Sequence, residues 1–335
     1  MTTCHARSLR WFMVLMPFLL VGAAGAQSCA TASDMEDATR VGLLTTAQRY
    51  FDMAARGDSG ALKQNAIASV AADFSGIETA VKDHQAILAG AQAAPRPPFL
   101  LKQDSTEPLE RAEFLCGVFG KSGQTANSAV FVIPNLPPGN YAVDTLDVGG
   151  AKGTYTVSFV LQQQGTDWKL GGLYVKETQA GGHDGNWYAD RAGQFKAKGQ
   201  LHNAWLYNLE ARDLLAPVPF MSTLATDKLY DEMQSLNLTD LPTKSSPVDL
   251  VAGGKSYKLT DIFLQAVEHD LDLVVKYQTS SVADTKQTFQ DNMAVIKGVV
   301  ARYPEYRDGF DGVVARAVEP SGNDYGSLLP MKEIK

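Results

Sequence analysis

At 335 residues the chain is long enough to bury more than one core, and 45% hydrophobic with 20% charged residues is ordinary for a folded protein, which excludes wholesale disorder. Acidic side chains outnumber basic ones, 37 to 30, a balance that disfavours nucleic acid and anionic membrane surfaces as partners.

The N-terminus carries an export pattern. His5, Arg7 and Arg10 form a weakly basic lead, Trp11–Val21 an apolar core, and Ala24-Gly25-Ala26 a small-x-small cleavage site. The apolar run falls short of the roughly 20 residues that a membrane-spanning helix needs. The pattern therefore predicts a signal peptide over residues 1–26, cut before Gln27, and a periplasmic or extracellular mature chain with no transmembrane segment. Cys29 lies where a lipoprotein would be cut and acylated, but Ala26-Gln27-Ser28 lacks the Leu expected three positions before the Cys. A lipid anchor at Cys29 stands as the alternative. Without it, the mature chain holds the pair Cys29 and Cys116, compatible with one disulfide in an oxidising compartment. Equally compatible is a buried free thiol at Cys116, on the strand face of Phe114 and Val118.

Leu43, Ala47, Tyr50 and Ala54 share a face that Leu44 and Phe51 widen, which predicts a helix over Val41–Arg56. Gly57 is suited to end it, and Asp58 or Ser59 to cap a second helix over Ala61–Val70. A third helix is predicted over Ile77–Gln92 from Ile77, Val81, His84, Leu88 and Ala91 at three- and four-residue spacing. Pro95-Arg96-Pro97-Pro98 then ends the helical pattern. Strands follow over Arg111–Phe119, Ala129–Ile133, Tyr141–Val148, Thr154–Gln164 and Trp168–Lys176. The last two form a hairpin: Tyr155, Val157, Phe159 and Leu161 alternate with Thr156, Ser158 and Gln162, and Gly165-Thr166-Asp167 supplies the turn. Helices followed by such a meander predict an α+β unit, helices packed on one face of a curved antiparallel sheet.

The segment YFDMAARGDSGALK (Tyr50–Lys63), together with TDWKLGGLYV at Thr166–Val175, resembles the first helices and last strands of NTF2-like domains, the superfamily of ketosteroid-isomerase and SnoaL-type proteins. The likeness covers about residues 40–178. It implies a cone-shaped fold with a ligand pocket between helices and sheet, lined here by His84 from the third helix and by Tyr155 and Tyr174 from the hairpin. Many members are not enzymes, and fold does not give function; the isomerases' Asp base and oxyanion donor have no assigned position in this chain.

Gly181–Tyr188 is a glycine-flanked cluster in which His183 and Asp184 offer acid–base groups, with a plain loop docked by Trp187 and Tyr188 as the structural reading. Asp190–Leu215 is helical, interrupted by Gly199. Phe195, Gly199, Ala204 and Ala211 recur at offsets similar to those of a single tetratricopeptide helix pair, and His202 reads as a satisfied core histidine. A short helix over Thr223–Gln234 completes a helical arm. Leu236–Ser246 is polar with Pro242 and reads as a linker. Beyond it, strands over Ser256–Val267 and Leu271–Gln278, a helix from Ser281 to Tyr303 with a seam of Phe289, Met293, Ile296, Val300 and Tyr303, and a strand over Val313–Val318 predict a second small α+β domain. The expected division is signal peptide 1–26, NTF2-like domain 27–178, helical arm 179–235, linker 236–248 and C-terminal domain 249–335.

There is no GxSxG elbow, HExxH, Walker A loop, GxGxxG or CxxC, so the sequence implies no metal and no cofactor. The reading it favours is an exported, non-catalytic protein whose first domain binds a small apolar ligand or a protein partner. The alternatives are a lyase, isomerase or hydrolase using an acid with a His or Tyr (His84, His183 and Asp184 being the candidates) and a structural or assembly role in the cell envelope.

Overall fold

The computed structural model describes residues 27–119, 123–150 and 153–335; the predicted signal peptide lies outside them. The chain is α+β. It begins with β1 (Gln27–Ala30), α1 (Asp37–Ala55), α2 (Ser59–Gln64), α3 (Ala68–Ala72) and α4 (Ser75–Leu88). Gly57, at φ 71°, turns the chain out of α1, and the Asp58 side chain accepts from the Ala61 N–H to cap α2. The second predicted helix splits into α2 and α3 because residues 65–67 pair with the sheet instead. The Leu170 N–H donates to the Asn65 carbonyl and the Ile67 N–H to the Leu170 carbonyl, both at 2.9 Å.

Seven strands follow: β2 (Gln92–Pro95), β3 (Phe99–Gln103), β4 (Leu109–Cys116), β5 (Ala129–Leu136), β6 (Gly139–Gly150), β7 (Gly153–Gln164) and β8 (Asp167–Glu177). The next stretch holds β9 (Gln179–Ala180), β10 (His183–Asp184), α5 (Gly185–Ala197), α6 (Leu201–Leu215), β11 (Met221–Thr223) and α7 (Leu224–Ser235). The first sheet runs β1-β3-β6-β7-β8 with β2 also on β6, and all its pairs are antiparallel. The predicted single meander does not form: β4 and β5 leave it for a separate sheet, β11-β5-β4. One face of the first sheet carries Val157, Phe159 and Leu161 against α1, α2 and α4 in a packed apolar core. The Tyr50 hydroxyl fastens that layer by donating to the Trp168 carbonyl at 2.9 Å. The second sheet packs on the opposite face, where Phe114 and Phe131 meet Leu101, Tyr141 and Val143.

The C-terminal sheet consists of β12 (Val248–Ala252), β13 (Lys255–Val267), β14 (Asp270–Gln278), β15 (Gly312–Val318) and β16 (Asp324–Pro330), in that order. Only β14 and β15 run parallel, joined by the crossover helix α8 (Thr285–Arg302). The buried face of α8 keeps Ile296, Val300 and Tyr303 of the predicted seam but not Phe289, which is exposed, and it widens to Thr288, Asn292, Val295 and Val299. Asn292 is satisfied there, accepting from the Tyr277 hydroxyl at 2.7 Å and donating to Ser327 Oγ at 2.9 Å. A bonded polar residue inside the seam defeats apolar counting.

Packing also crosses the expected linker at 236–248. Tyr188, Phe195 and Tyr207 of the arm share one core with Leu273, Val275 and Val313 of the C-terminal sheet, so arm and sheet form a single unit. The intervening segment is tied to it through Asp240, which accepts from His202 Nε2 at 3.0 Å and from the Tyr303 hydroxyl at 2.9 Å. The other ring nitrogen, His202 Nδ1, lies 2.9 Å from a Glu305 oxygen, so His202 is the satisfied core residue that its helix face predicts. Among the described residues no helix is long and apolar enough to cross a membrane.

Candidate functional site

A cavity of about 1120 Å³ opens on the face of the first sheet away from α1 and α4. Its floor is Tyr141, Val160, Gln162 and Tyr174, the residues that strand alternation turns away from the helical layer. At Gly171 and Gly172 the β7–β8 register slips. A Cβ on Gly172 would lie 3.3 Å from the Tyr174 ring, so this glycine leaves room for the phenol. One wall comes from the second sheet: β5 buries Ala129 and Phe131 in its own core and turns Val130 and Val132 to the cavity. Ile67 and Val70, around the start of α3, close the near end.

The remaining wall is the arm. After α6 the chain returns through Pro217–Phe220, the Phe220 carbonyl accepts from the Val132 N–H at 2.9 Å, and β11 pairs with β5. This brings Phe220 and Met221 over the opening, with Arg212 from α6 and Asp227 and Tyr230 from α7 beside them. The cavity thus lies where two packing units meet, a frequent place for ligand sites, and its volume and apolar walls match those of small-molecule pockets.

Its polar groups differ in how well they are satisfied. The Tyr141 hydroxyl donates to the Pro137 carbonyl and accepts from Gln162 Nε2, both at 3.0 Å. Asp227 accepts from Gln124 Nε2 at 3.4 Å and lies in the first turn of α7, where a helix favours negative charge. Tyr174 packs edge-on against Phe220 with ring centres 5.5 Å apart, and burial pushes its phenol up, which keeps the proton on the hydroxyl at neutral pH. Arg212 lies with its guanidinium carbon 5.6 Å from the Tyr230 ring centre, and its buried Nε has no hydrogen-bond partner.

Of His84, Tyr155 and Tyr174, expected around a pocket between helices and sheet, only Tyr174 lines this cavity, which lies on the other face of the sheet. His84 and Tyr155 lie on the helical side of the sheet, their rings edge to face at 6.4 Å. His84 Nδ1 is 2.8 Å from the Ala80 carbonyl and the Tyr155 hydroxyl donates to Glu177 at 3.3 Å. The space expected between α4 and the sheet is filled by Leu88, Val148 and Val157. His183 stacks on Trp187 at 3.7 Å and Asp184 caps α5 by accepting from the Trp187 N–H at 2.9 Å, so both serve the start of that helix. Cys29 and Cys116 form a disulfide with Cα atoms 5.0 Å apart, which fastens β1 of the first sheet to β4 of the second.

Three polar residues that matter here were not among those candidates. Arg212 sits on an amphipathic helix where a charged residue reads as solvent-facing. Asp144 is 2% exposed, and neither of its oxygens has a partner. Burial pushes its carboxyl up to about 7. The signal was present, because period two puts it on one face with Ala142, Leu146 and Val148. Glu210 on α6 is likewise pushed up to about 7, by burial and by Asp213 against the opposing Lys176. Neither acid lines the cavity. Among the described residues no group of three His, Cys, Asp or Glu side chains is placed to hold a metal ion. No family model matches this chain, and neither a curated protein nor a solved structure does.

Proposed function

We propose that this is an exported, non-catalytic binding protein that holds a small, largely apolar ligand in the cavity between its first two sheets. The observation that carries the reading is the cavity itself: about 1120 Å³, with walls in which aliphatic, proline and aromatic residues outnumber polar ones. The disulfide supports export, since such bonds persist in oxidising compartments, and it occupies the sulfur that a lipid anchor at Cys29 would require. An NTF2-like origin for residues 40–178 is supported by the layering of helices on one face of an antiparallel sheet. The ligand site proposed here differs from the one that likeness implies, because it lies on the other face. An enzymatic reading is less well supported: the acid raised furthest toward neutrality within the first unit, Asp144, points into the helical core and is separated from the cavity by the sheet.

The test uses N-phenyl-1-naphthylamine, a neutral apolar dye that brightens when it leaves water. The mature protein should bind it saturably at one site, and Val160→Trp, which fills the floor, should abolish that binding while the fold is retained by circular dichroism. Dye binding that is absent in the wild type, or unchanged in Val160→Trp, overturns the reading.

A further inference from the structure

We propose that the ligand is an anionic amphiphile, an apolar chain or ring system ending in a carboxylate, and that Arg212 with Tyr174 receives its charged end. This rests on the cavity being a ligand site, as proposed above, and adds what the ligand must carry.

A guanidinium withdrawn from water without a partner is costly. Arg212 can donate five N–H groups in a planar fork. Among the described residues it enters no ion pair; its Nε is buried with no acceptor, and its terminal nitrogens, which are neither bonded to the protein nor closed to solvent, are the donors an incoming group reaches. The Tyr230 ring attracts the cation without accepting its hydrogen bonds in the manner of an oxygen. Buried donors are normally matched, and those that are not require an explanation. An oxyanion from outside the chain supplies one, because carboxylates fit the guanidinium fork with two parallel hydrogen bonds.

Tyr174 gives a second, independent indication. It lines the floor of the same cavity, and its hydroxyl donates to no protein acceptor among the described residues, in contrast to Tyr141, which has two partners. A guanidinium with no ion pair, a hydroxyl with no protein acceptor and an apolar interior describe a site for an acceptor-rich, negatively charged end on a hydrophobic body. Among the described residues Asp227 is the one acid lining the cavity, and it is the better satisfied charge: Gln124 donates to it and the start of α7 favours it. The imbalance therefore favours an anion over a cation.

The experiment compares dodecanoate with dodecanol, which share a chain length and differ in charge, by isothermal titration calorimetry on the mature protein at pH 8. Dodecanoate should bind at least about tenfold more tightly, the effect expected of one charge-assisted hydrogen bond withdrawn from water. Arg212→Gln should bring the two ligands to within about threefold of each other, chiefly by weakening the acid, and Tyr174→Phe should weaken dodecanoate by a smaller factor. The wild-type comparison needs no variant, so a misfolded Arg212→Gln would not protect the proposal. Equal binding of acid and alcohol, or an undiminished preference in folded Arg212→Gln, overturns the anion assignment and leaves the apolar-ligand reading standing. Failure of both ligands and of the neutral dye overturns the cavity as a ligand site, and this inference with it.

Discussion

The two faces of the first sheet are made from the same strands, yet one is closed and the other is open. Toward α1 and α4, Val157, Phe159 and Leu161 are fully buried in a continuous apolar layer. The intervening residues Ser158, Val160 and Gln162 point the other way, where the second sheet packs tightly only near Tyr141 and Val143. Toward the β8 edge the sheets part, and the gap is walled by α3, β5 and the arm. Helices can settle as a compact layer onto an apolar sheet face, whereas a second sheet tied at one side by a disulfide and at the other by a three-residue strand leaves space between. A pocket therefore arises on the less hydrophobic face, opposite the one that a helix-over-sheet pattern suggests.

The largest expected effect contrasts two adjacent residues. Phe159 is wholly buried, with its ring 5.9 Å from that of Tyr50, so Phe159→Ala should cost about 3–5 kcal/mol in urea unfolding. Val160 faces the cavity and already lacks neighbours on one side, so Val160→Ala should cost less than about 1 kcal/mol. Equal costs would mean that both faces are packed alike, and the contrast would be lost.

Asp144 sharpens the same contrast through pH. Its carboxyl is raised from 3.8 to about 7 in the folded chain, so between those values the folded state holds a proton that the unfolded state has released. Stability from this group is greatest below the unfolded value, falls as pH rises toward 7 and levels off above it. A rise of that size is worth at most about 4 kcal/mol. Glu210, raised from 4.5 to about 7, acts in the same direction. Asp144→Asn has no charge to bury, so it should be more stable than the wild type at pH 8 and should lose less stability between pH 4 and pH 8, leaving the parts due to Glu210 and to Asp272, which burial also raises. A wild type and variant with parallel pH profiles would show that the carboxylate finds a partner when it ionises.

The disulfide braces the open side. Replacing both Cys29 and Cys116 by Ser frees a link across 87 residues and should cost about 2–4 kcal/mol. Because the bond joins the two sheets around the cavity, the loss should be accompanied by weaker dye binding. Full binding at unchanged affinity in the variant would show that β5 and β11 hold the second sheet in place unaided.

Much of the fold was legible wherever periodicity was long. The alternation in Tyr155–Leu161 identified the buried face of β7, Gly165 and Thr166 fall between β7 and β8, and the stripes of α1 and α4 are the ones that pack. Short or glycine-bearing segments carried no such signal: β11 has three residues, and β16 includes Gly326 and Pro330. The site was largely illegible for the same reason. Its walls come from separate elements joined by long-range pairing; Tyr174 was named only through the family likeness, and period two from Leu170 would have put it on the helical face had the register not slipped at Gly171 and Gly172. Arg212 could not be distinguished from a surface arginine without knowing that the returning chain covers it.

His84 provides the smallest effect and the most direct check on which face carries the site. It lies on the apolar stripe of α4, where a helix-to-sheet pocket would use it, yet the structure packs it against Tyr155 and the Ala80 carbonyl. Its ring is partly exposed at the end of a filled layer. Gln is a strong helix former that retains hydrogen-bonding capacity, so His84→Gln should change stability by no more than about 0.5 kcal/mol. Binding of N-phenyl-1-naphthylamine and of dodecanoate should also be unchanged, since the sheet stands between this residue and the cavity. A loss of binding in a variant of wild-type stability would move the ligand to the helical face, and Val160→Trp would then leave binding intact. The two variants thus give opposite results under the two placements, so measuring both decides which side of one sheet the ligand occupies.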